Sequence, residues 1–230
     1  MNQAQPAKTG KTSNPPPVLT ISSKNYSSWS LRGWLMCRIA GLEVEEQVVS
    51  LDDPDHRAEL LLLAPSMLVP RLNHDGCSVW DVLAIGEYLA EIRPNAGLLP
   101  ENREARSHCR SVSGEVHSGF YNLRSALPMN LRASYPDFKV FAGAQADIER
   151  IETIWTECMD RWGGPFLFGK PTMADAMFAP VCTRFETYDV ALSDVAQNYC
   201  RTIMSWAPMT EWIDAAKDEP DDFEELDMEF

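Results

Sequence analysis

The sequence lacks the patterns that mark several common classes of protein. It has no run of lysine or arginine, and its formal net charge is −14, so neither nucleic acid nor an anionic membrane is expected as a partner. No stretch approaches the roughly 20 apolar residues of a membrane-spanning helix. The first residues also lack the hydrophobic core of a signal peptide. We therefore predict a cytoplasmic protein.

Cysteine and histidine are present, but not in metal-binding or redox patterns. The six cysteines are scattered without a C-x-x-C pair, and the four histidines show no ligand spacing, so no metal site is expected. A thiol–disulfide oxidoreductase is disfavoured as well. No cysteine occupies the loop at 25–28, and Cys37 falls well inside the first predicted helix.

The N-terminal part of the chain alternates strand and helix patterns. After a polar leader at 1–17, which we predict to be disordered, strands are expected at 18–22 and 44–51 and helices at 29–40 and 56–63. A hairpin and one further helix complete the order β-α-β-α-β-β-α by residue 92. This order is the pattern of a thioredoxin-like domain with a mixed sheet.

Strand patterns vanish after a linker at 93–102 that contains Pro94 and Pro100. Apolar residues at helical spacing predict a long helix at 103–127, kinked or ended by Pro128, and further helices at 145–162, 198–205 and 210–217. The predicted fold class is an α/β thioredoxin-like domain at 18–92 followed by an all-α domain at 103–217. An acidic tail follows at 218–230.

The segment at 64–89 carries a specific local pattern. Pro70 suits the first residue of a strand, because proline cannot donate to a sheet ladder. A turn ending at Gly76 can return the chain as an antiparallel partner, and Asp81 stands where a helix N-cap is expected. Val69-Pro70 and Asp81-Val82 should therefore meet beside a helix N-terminus, where free backbone N–H groups favour a carboxylate.

Three motifs resemble cytosolic glutathione transferases. The first is V-P-x-L followed, after a turn, by D-x-L-A-I-x-E-Y-L at 69–89. The second is G-x-x-T-x-A-D at 169–175, which in that family marks the buried core helix of the C-terminal domain. The third, N-Y-S-S-W-S-L-R at 25–32, is similar to the zeta-class motif S-S-C-S-W-x-V-R. The resemblance covers 18–217, in both domains and in the same order.

The resemblance implies that glutathione is the co-substrate. It implies a cis bond before Pro70, pairing of the Val69 backbone with the cysteinyl part of glutathione, and Asp81-Val82 at the γ-glutamyl end. The implied glutathione-binding residues are Tyr26, Leu68, Val69, Pro70, Asp81 and Val82. Val82 stands where the family usually has serine or threonine, so one hydroxyl contact is missing while the backbone N–H remains.

The resemblance also directs thiol activation to the loop at 25–28, beside the N-terminus of the first helix. Backbone N–H groups and the helix dipole favour a thiolate there, and a hydroxyl that donates to the thiolate lowers the thiol pKa. Ungapped alignment places the usual catalytic serine at Asn25, which has no hydroxyl. Ser27 is therefore the first candidate donor, Ser28 the second and Tyr26 the third. Both serines also suit helix capping, and the two roles can hold at once.

A second substrate is expected where the helical domain faces this loop. His117, Tyr121 and Arg124 recur at i, i+4 and i+7 of the predicted long helix and are the candidate substrate-binding residues. The apolar bias of the region suggests a small hydrophobic electrophile, and the family resemblance implies a homodimer.

Two functions follow from this sequence. The first is a glutathione transferase that ionises bound glutathione for attack on a hydrophobic electrophile or for glutathione-dependent isomerisation. The alternative is a catalytically weak relative that acts by protein or ligand binding, for which Asn25 and Val82 are the support.

Overall fold

The computed structural model describes residues 15–49 and 68–220, and the helix predicted at 56–63 lies outside them. The strands are β1 (Val18–Ile21), β2 (Glu45–Val48), β3 (Arg71–His74) and β4 (Cys77–Trp80), and the first helices are α1 (Ser28–Ile39) and α2 (Val82–Ile92). They form a four-stranded sheet of order β2-β1-β3-β4. Strand β1 runs parallel to β2 and antiparallel to β3, which confirms the predicted mixed sheet.

Strand β1 is buried along most of its length, since Leu19, Thr20 and Ile21 are all fully buried. Leu19 of β1 is in register with Leu72 of β3, and both side chains are fully buried. Helices α1 and α2 supply the other apolar side chains of this layer, among them the fully buried Leu31, Leu35, Ile85 and Leu89. The sheet and these two helices thereby hold the N-terminus of α1 and the N-terminus of α2 in fixed positions.

The second half of the described chain is helical, as predicted. Its helices are α3 (Arg103–Ser118), α4 (Tyr121–Ala126), α5 (Ala142–Trp162), α6 (Met173–Thr187), α7 (Asp194–Met204) and α8 (Ala207–Lys217). Helix α7 begins earlier than expected because Ser193 caps it, its side chain accepting from the Ala196 N–H. Across residues 15–49 and 68–220, no helix is long and apolar enough to cross a membrane.

Helix α6 is the buried centre of this helical part. A capping box begins this helix: the Asp175 carboxylate accepts from the Thr172 N–H at 2.8 Å and from the Thr172 hydroxyl at 2.9 Å. It also accepts from the Leu167 N–H at 3.0 Å and the Tyr199 hydroxyl at 3.1 Å. Burial raises the pKa of Asp175 to about 6, although these hydrogen bonds oppose the shift.

The predicted long helix at 103–127 is wrong, because the chain breaks between α3 and α4. Gly119 permits the break: a Cβ there would lie 2.7 Å from the Glu115 carbonyl oxygen. Phe120 then adopts a left-handed conformation with φ 59°, and the Asp147 carboxylate of α5 accepts from the Leu123 N–H at 2.9 Å. His117 and Tyr121 consequently lie on different helices, so the predicted common face of His117, Tyr121 and Arg124 does not exist.

Candidate active site

The candidate site begins at the Val69–Pro70 bond, which is cis. Pro70 packs directly on α1, since a Cβ added to Gly33 would lie 2.6 Å from the Pro70 Cγ. Glycine at position 33 is therefore what allows α1 to approach the proline so closely. Val69 is half-buried and Leu68 is 65% exposed, so the backbone leading into Pro70 is accessible from solvent.

Asp81 links the hairpin to the helical part of the molecule. Its Oδ1 atom caps α2 by accepting from the Leu83 N–H at 2.9 Å and the Ala84 N–H at 3.3 Å. Its Oδ2 atom lies 2.6 Å from Nε2 of His117 on α3. The predicted γ-glutamyl residue and a predicted substrate-binding residue thus meet across two parts of the chain.

The neighbouring Val82 contributes its backbone alone, because its side chain is 1% exposed and belongs to the core. A serine or threonine hydroxyl that took the place of this side chain would therefore be buried. The Val82 N–H remains at the start of α2, where a helix N-terminus favours an anion.

Trp29, in the first turn of α1, is the centre of an aromatic and cationic cluster. The His117 ring packs edge-on against it with centroids 5.2 Å apart. The Arg124 guanidinium lies 5.1 Å from the Trp29 ring centroid, and the Arg32 guanidinium 4.4 Å from it. His117 and Arg124 are thus brought together despite the helix break, whereas Tyr121 is 65% exposed on the surface of α4.

The two serine candidates differ in accessibility. Ser27 is the N-cap of α1 and 9% exposed; its hydroxyl donates to the Ser30 hydroxyl at 2.9 Å and accepts from the Ser30 N–H at 3.3 Å. Ser28 is fully buried and accepts from Nη1 of Arg32 at 3.1 Å. Of the two hydroxyls, that of Ser28 is therefore the less accessible to solvent.

Asn25 and Tyr26 stand just before the cap. Asn25 is 1% exposed, and its side chain donates to Oδ1 of Asn130 at 3.1 Å and accepts from the Arg132 N–H at 3.0 Å. Both the N–H and the oxygen of its side-chain amide therefore hydrogen-bond to the helical part of the chain. Tyr26 is half-buried, so its hydroxyl remains a third candidate donor.

Cys37, in contrast, is not arranged for thiol chemistry. It is fully buried in α1, and burial raises its pKa to about 12. Its thiol is consequently protonated near neutral pH.

Sequence reasoning missed two parts of this region. Trp29 and Arg32 were matched in the zeta-like motif, which was a usable signal, but no role in the site was assigned to either. Glu219 was placed in the acidic tail, whereas its carboxylate accepts a 2.9 Å hydrogen bond from the Ser23 hydroxyl. No local pattern distinguishes Glu219 from the other acidic residues around it.

Comparison with known proteins agrees with this geometry. The family model "Glutathione S-transferase, N-terminal domain" matches residues 26–92, and "Glutathione S-transferase, C-terminal domain" matches 138–224. Maleylacetoacetate isomerase of Rhizobium meliloti is 32% identical over 182 residues, which cover 73% of this chain and 81% of that protein. The chain belongs to the glutathione S-transferase family. It is accordingly a glutathione-utilising enzyme with the fold predicted from its motifs.

Two further relatives extend the comparison. A probable maleylacetoacetate isomerase of Caenorhabditis elegans is 31% identical over 119 residues; the match covers 52% of this chain and 55%, about half, of that protein. The solved structure of a glutathione transferase homolog from Burkholderia, with bound glutathione, has a TM-score of 0.68. It covers 89% of this chain and 100% of the other at 21% identity, and it supports the fold alone.

Proposed function

We propose that this transferase catalyses the glutathione-dependent cis–trans isomerisation of an unsaturated dicarboxylate of the maleylacetoacetate type. The relatives named above support this reaction. The observation that carries the proposal is the convergence of His117 and Arg124 on Trp29, beside Asp81. A guanidinium and an imidazole next to the glutathione end of the site suit an electrophile that carries carboxylates better than the purely hydrophobic one expected from sequence.

The reaction needs no group beyond bound glutathione. The thiolate adds to one carbon of the conjugated double bond, and the electron pair moves onto the adjacent carbonyl oxygen. The resulting single bond rotates; the electron pair then returns, the trans double bond forms and the thiolate leaves. Glutathione is regenerated, so the protein supplies thiolate stabilisation and proximity.

The proposal gives each glutathione contact a role. The backbone at Leu68 and Val69, beside cis-Pro70, holds the cysteinyl part. The Asp81 carboxylate binds the γ-glutamyl ammonium group, and the Val82 N–H binds the γ-glutamyl carboxylate. The Ser27 hydroxyl turns from Ser30 towards the thiolate, with Tyr26 as the competing donor.

The direct test is turnover of maleylacetoacetate by the purified protein, with and without glutathione, monitored as formation of the trans isomer. Arg124→Gln and His117→Gln should raise KM for the dicarboxylate, while Tyr121→Phe on the exposed face of α4 serves as the control. Glutathione-dependent conjugation of an uncharged aromatic electrophile with no isomerisation would instead favour a transferase for hydrophobic substrates. Absence of glutathione binding would favour the alternative of a catalytically weak protein that binds a partner. The hydrogen bonds of the Asn25 side chain to Asn130 and Arg132 support that alternative.

We also propose that the protein is a cytoplasmic homodimer. Family membership supports the dimer, and so does β4, an edge strand of the described sheet that exposes Trp80 at 38% of its surface. The free thiols of its cysteines support a reducing compartment. Light scattering on the purified chain measures the first claim, and cell fractionation the second.

A further inference from the structure

The segment that directly follows helix α8 is bound to the loop that precedes α1. The Glu219 carboxylate accepts from the Lys24 N–H at 2.5 Å, from the Asn25 N–H at 3.1 Å and from the Ser23 hydroxyl at 2.9 Å. These contacts join residues 194 to 196 positions apart. One carboxylate therefore organises the backbone that leads into the Ser27 cap, since the Ser27 N–H in turn donates to the Ser23 carbonyl at 3.0 Å.

Arg132 holds the other side of the same junction. Its Nε donates to the Ala216 carbonyl at 2.9 Å, and its Nη2 donates to the Glu219 carbonyl. Its backbone N–H donates to the Asn25 side chain at 3.0 Å. Arg132 thus binds the end of α8 and the loop at the same time, and Trp212 of α8 adds a 2.9 Å hydrogen bond to the Lys24 carbonyl.

We propose that Glu219 and Arg132 are positioning residues that clamp the loop at 23–25, so that the Ser27 hydroxyl and the first N–H groups of α1 face the glutathione thiol. The clamp also gives a role to Asn25, which stands where the family motif has serine, because the Asn25 side chain hydrogen-bonds to Asn130 and to the Arg132 N–H. This inference rests on the proposed thiol activation at Ser27, although the clamp itself can be measured without glutathione.

A positioning role of Glu219 can be distinguished from a purely electrostatic effect of its negative charge on the thiol pKa. A carboxylate near a thiolate disfavours the ionised thiol, so removing that charge alone should lower the thiol pKa. Loss of positioning should do the opposite, because the hydroxyl and the N–H groups would no longer be aligned with the sulfur. The sign of the change therefore distinguishes the two roles.

The test compares Glu219→Ala and Glu219→Gln with the control Asp218→Ala, which removes an exposed acid one residue away. Thiolate absorbance of bound glutathione is titrated against pH. We expect Glu219→Ala to raise the thiol pKa by about one pH unit, so that the thiolate fraction near neutral pH falls up to tenfold. Glu219→Gln keeps an acceptor oxygen and should recover part of the loss, while Asp218→Ala should match the wild type.

Amide hydrogen exchange of the segment at 22–27 provides the readout without ligand. Exchange should become faster in Glu219→Ala and remain unchanged in Asp218→Ala. A lowered thiol pKa in both Glu219 variants, or exchange and pKa that do not change, would overturn the clamp. If the wild type itself neither binds nor ionises glutathione, the proposed function fails, whereas the exchange experiment still decides whether the clamp exists.

Discussion

Replacing Asp81 should separate its structural role from its role in binding. Asp81 caps α2 through Oδ1 and has φ 72°. Asparagine accepts the same capping bonds and tolerates a left-handed backbone, whereas alanine does neither. Asp81→Asn and Asp81→Ala should therefore differ in stability but agree in their effect on glutathione.

The magnitudes follow from the contacts. Loss of the cap costs about 1 kcal/mol and an alanine at positive φ about 1 kcal/mol more. The pair with His117 adds only about 0–1 kcal/mol, since the two side chains are 30% and 41% exposed. We expect Asp81→Ala to lose about 2–3 kcal/mol and Asp81→Asn less than about 1 kcal/mol. Both should weaken glutathione binding by roughly tenfold to a hundredfold, because each removes a charged partner of the γ-glutamyl ammonium.

Chemical denaturation measures the first quantity, and calorimetric titration with glutathione the second. The free energies of unfolding should separate the two variants while their dissociation constants coincide. Unaltered glutathione affinity in Asp81→Asn would refute the placement of Asp81 at the γ-glutamyl end. Equal stability of the two variants would refute the capping argument.

Four further predictions test other parts of the account. Gly33→Ala should lose up to about 2 kcal/mol by overpacking against Pro70 and should weaken glutathione binding. Gly114→Ala, with nothing within 4 Å of the added Cβ, should be neutral or stabilising in thermal melts. Ser27→Ala should lower turnover by one to two orders of magnitude, about 1.4–2.7 kcal/mol. Ser27→Thr is the control, because it keeps both the cap and the hydroxyl. Equal turnover rates of the alanine and threonine variants would exclude Ser27 as the thiolate donor. Burial raises the pKa of Asp175 from its ordinary value of 3.8 to about 6 in the folded protein, so its contribution to stability falls as pH rises through that window. Relative to Asp175→Asn, the wild type should therefore gain about 2 kcal/mol between about pH 7.5 and 4.5; a difference in unfolding free energy that does not change with pH would contradict this.

Local sequence patterns predicted the parts of the site that depend on few neighbouring residues. The turn after β3 and the Asp81 cap lie within one hairpin and the start of one helix, and the cis bond at Pro70, which the family resemblance implied, lies in the same segment. The Thr172–Asp175 capping box is a local feature of the same kind, because its partners are three residues apart. Backbone features of this kind are determined by residues that lie close together in the sequence.

Features that depend on distant contacts were not predictable in the same way. Apolar spacing continues through Val116, Phe120 and Leu123, so the periodicity suggested one helix; Gly119 was the local signal of the break. Its stabilisation by Asp147 comes from another helix. Glu219 reaches Ser23 across 196 positions, and no pattern within the acidic segment identifies that contact. The meeting of Asp81 with His117 likewise required the packing of α2 on α3.

The central claim is that cis-Pro70 and Asp81 form a glutathione site, and calorimetry on the wild-type protein tests it most directly. Glutathione should bind with a dissociation constant from about micromolar to low millimolar. Cysteinylglycine, which lacks the γ-glutamyl group, should bind at least about tenfold more weakly, and Asp81→Asn should remove most of that difference. Equal binding of the two peptides, or no binding of glutathione at millimolar concentration, would contradict the assignment of this site.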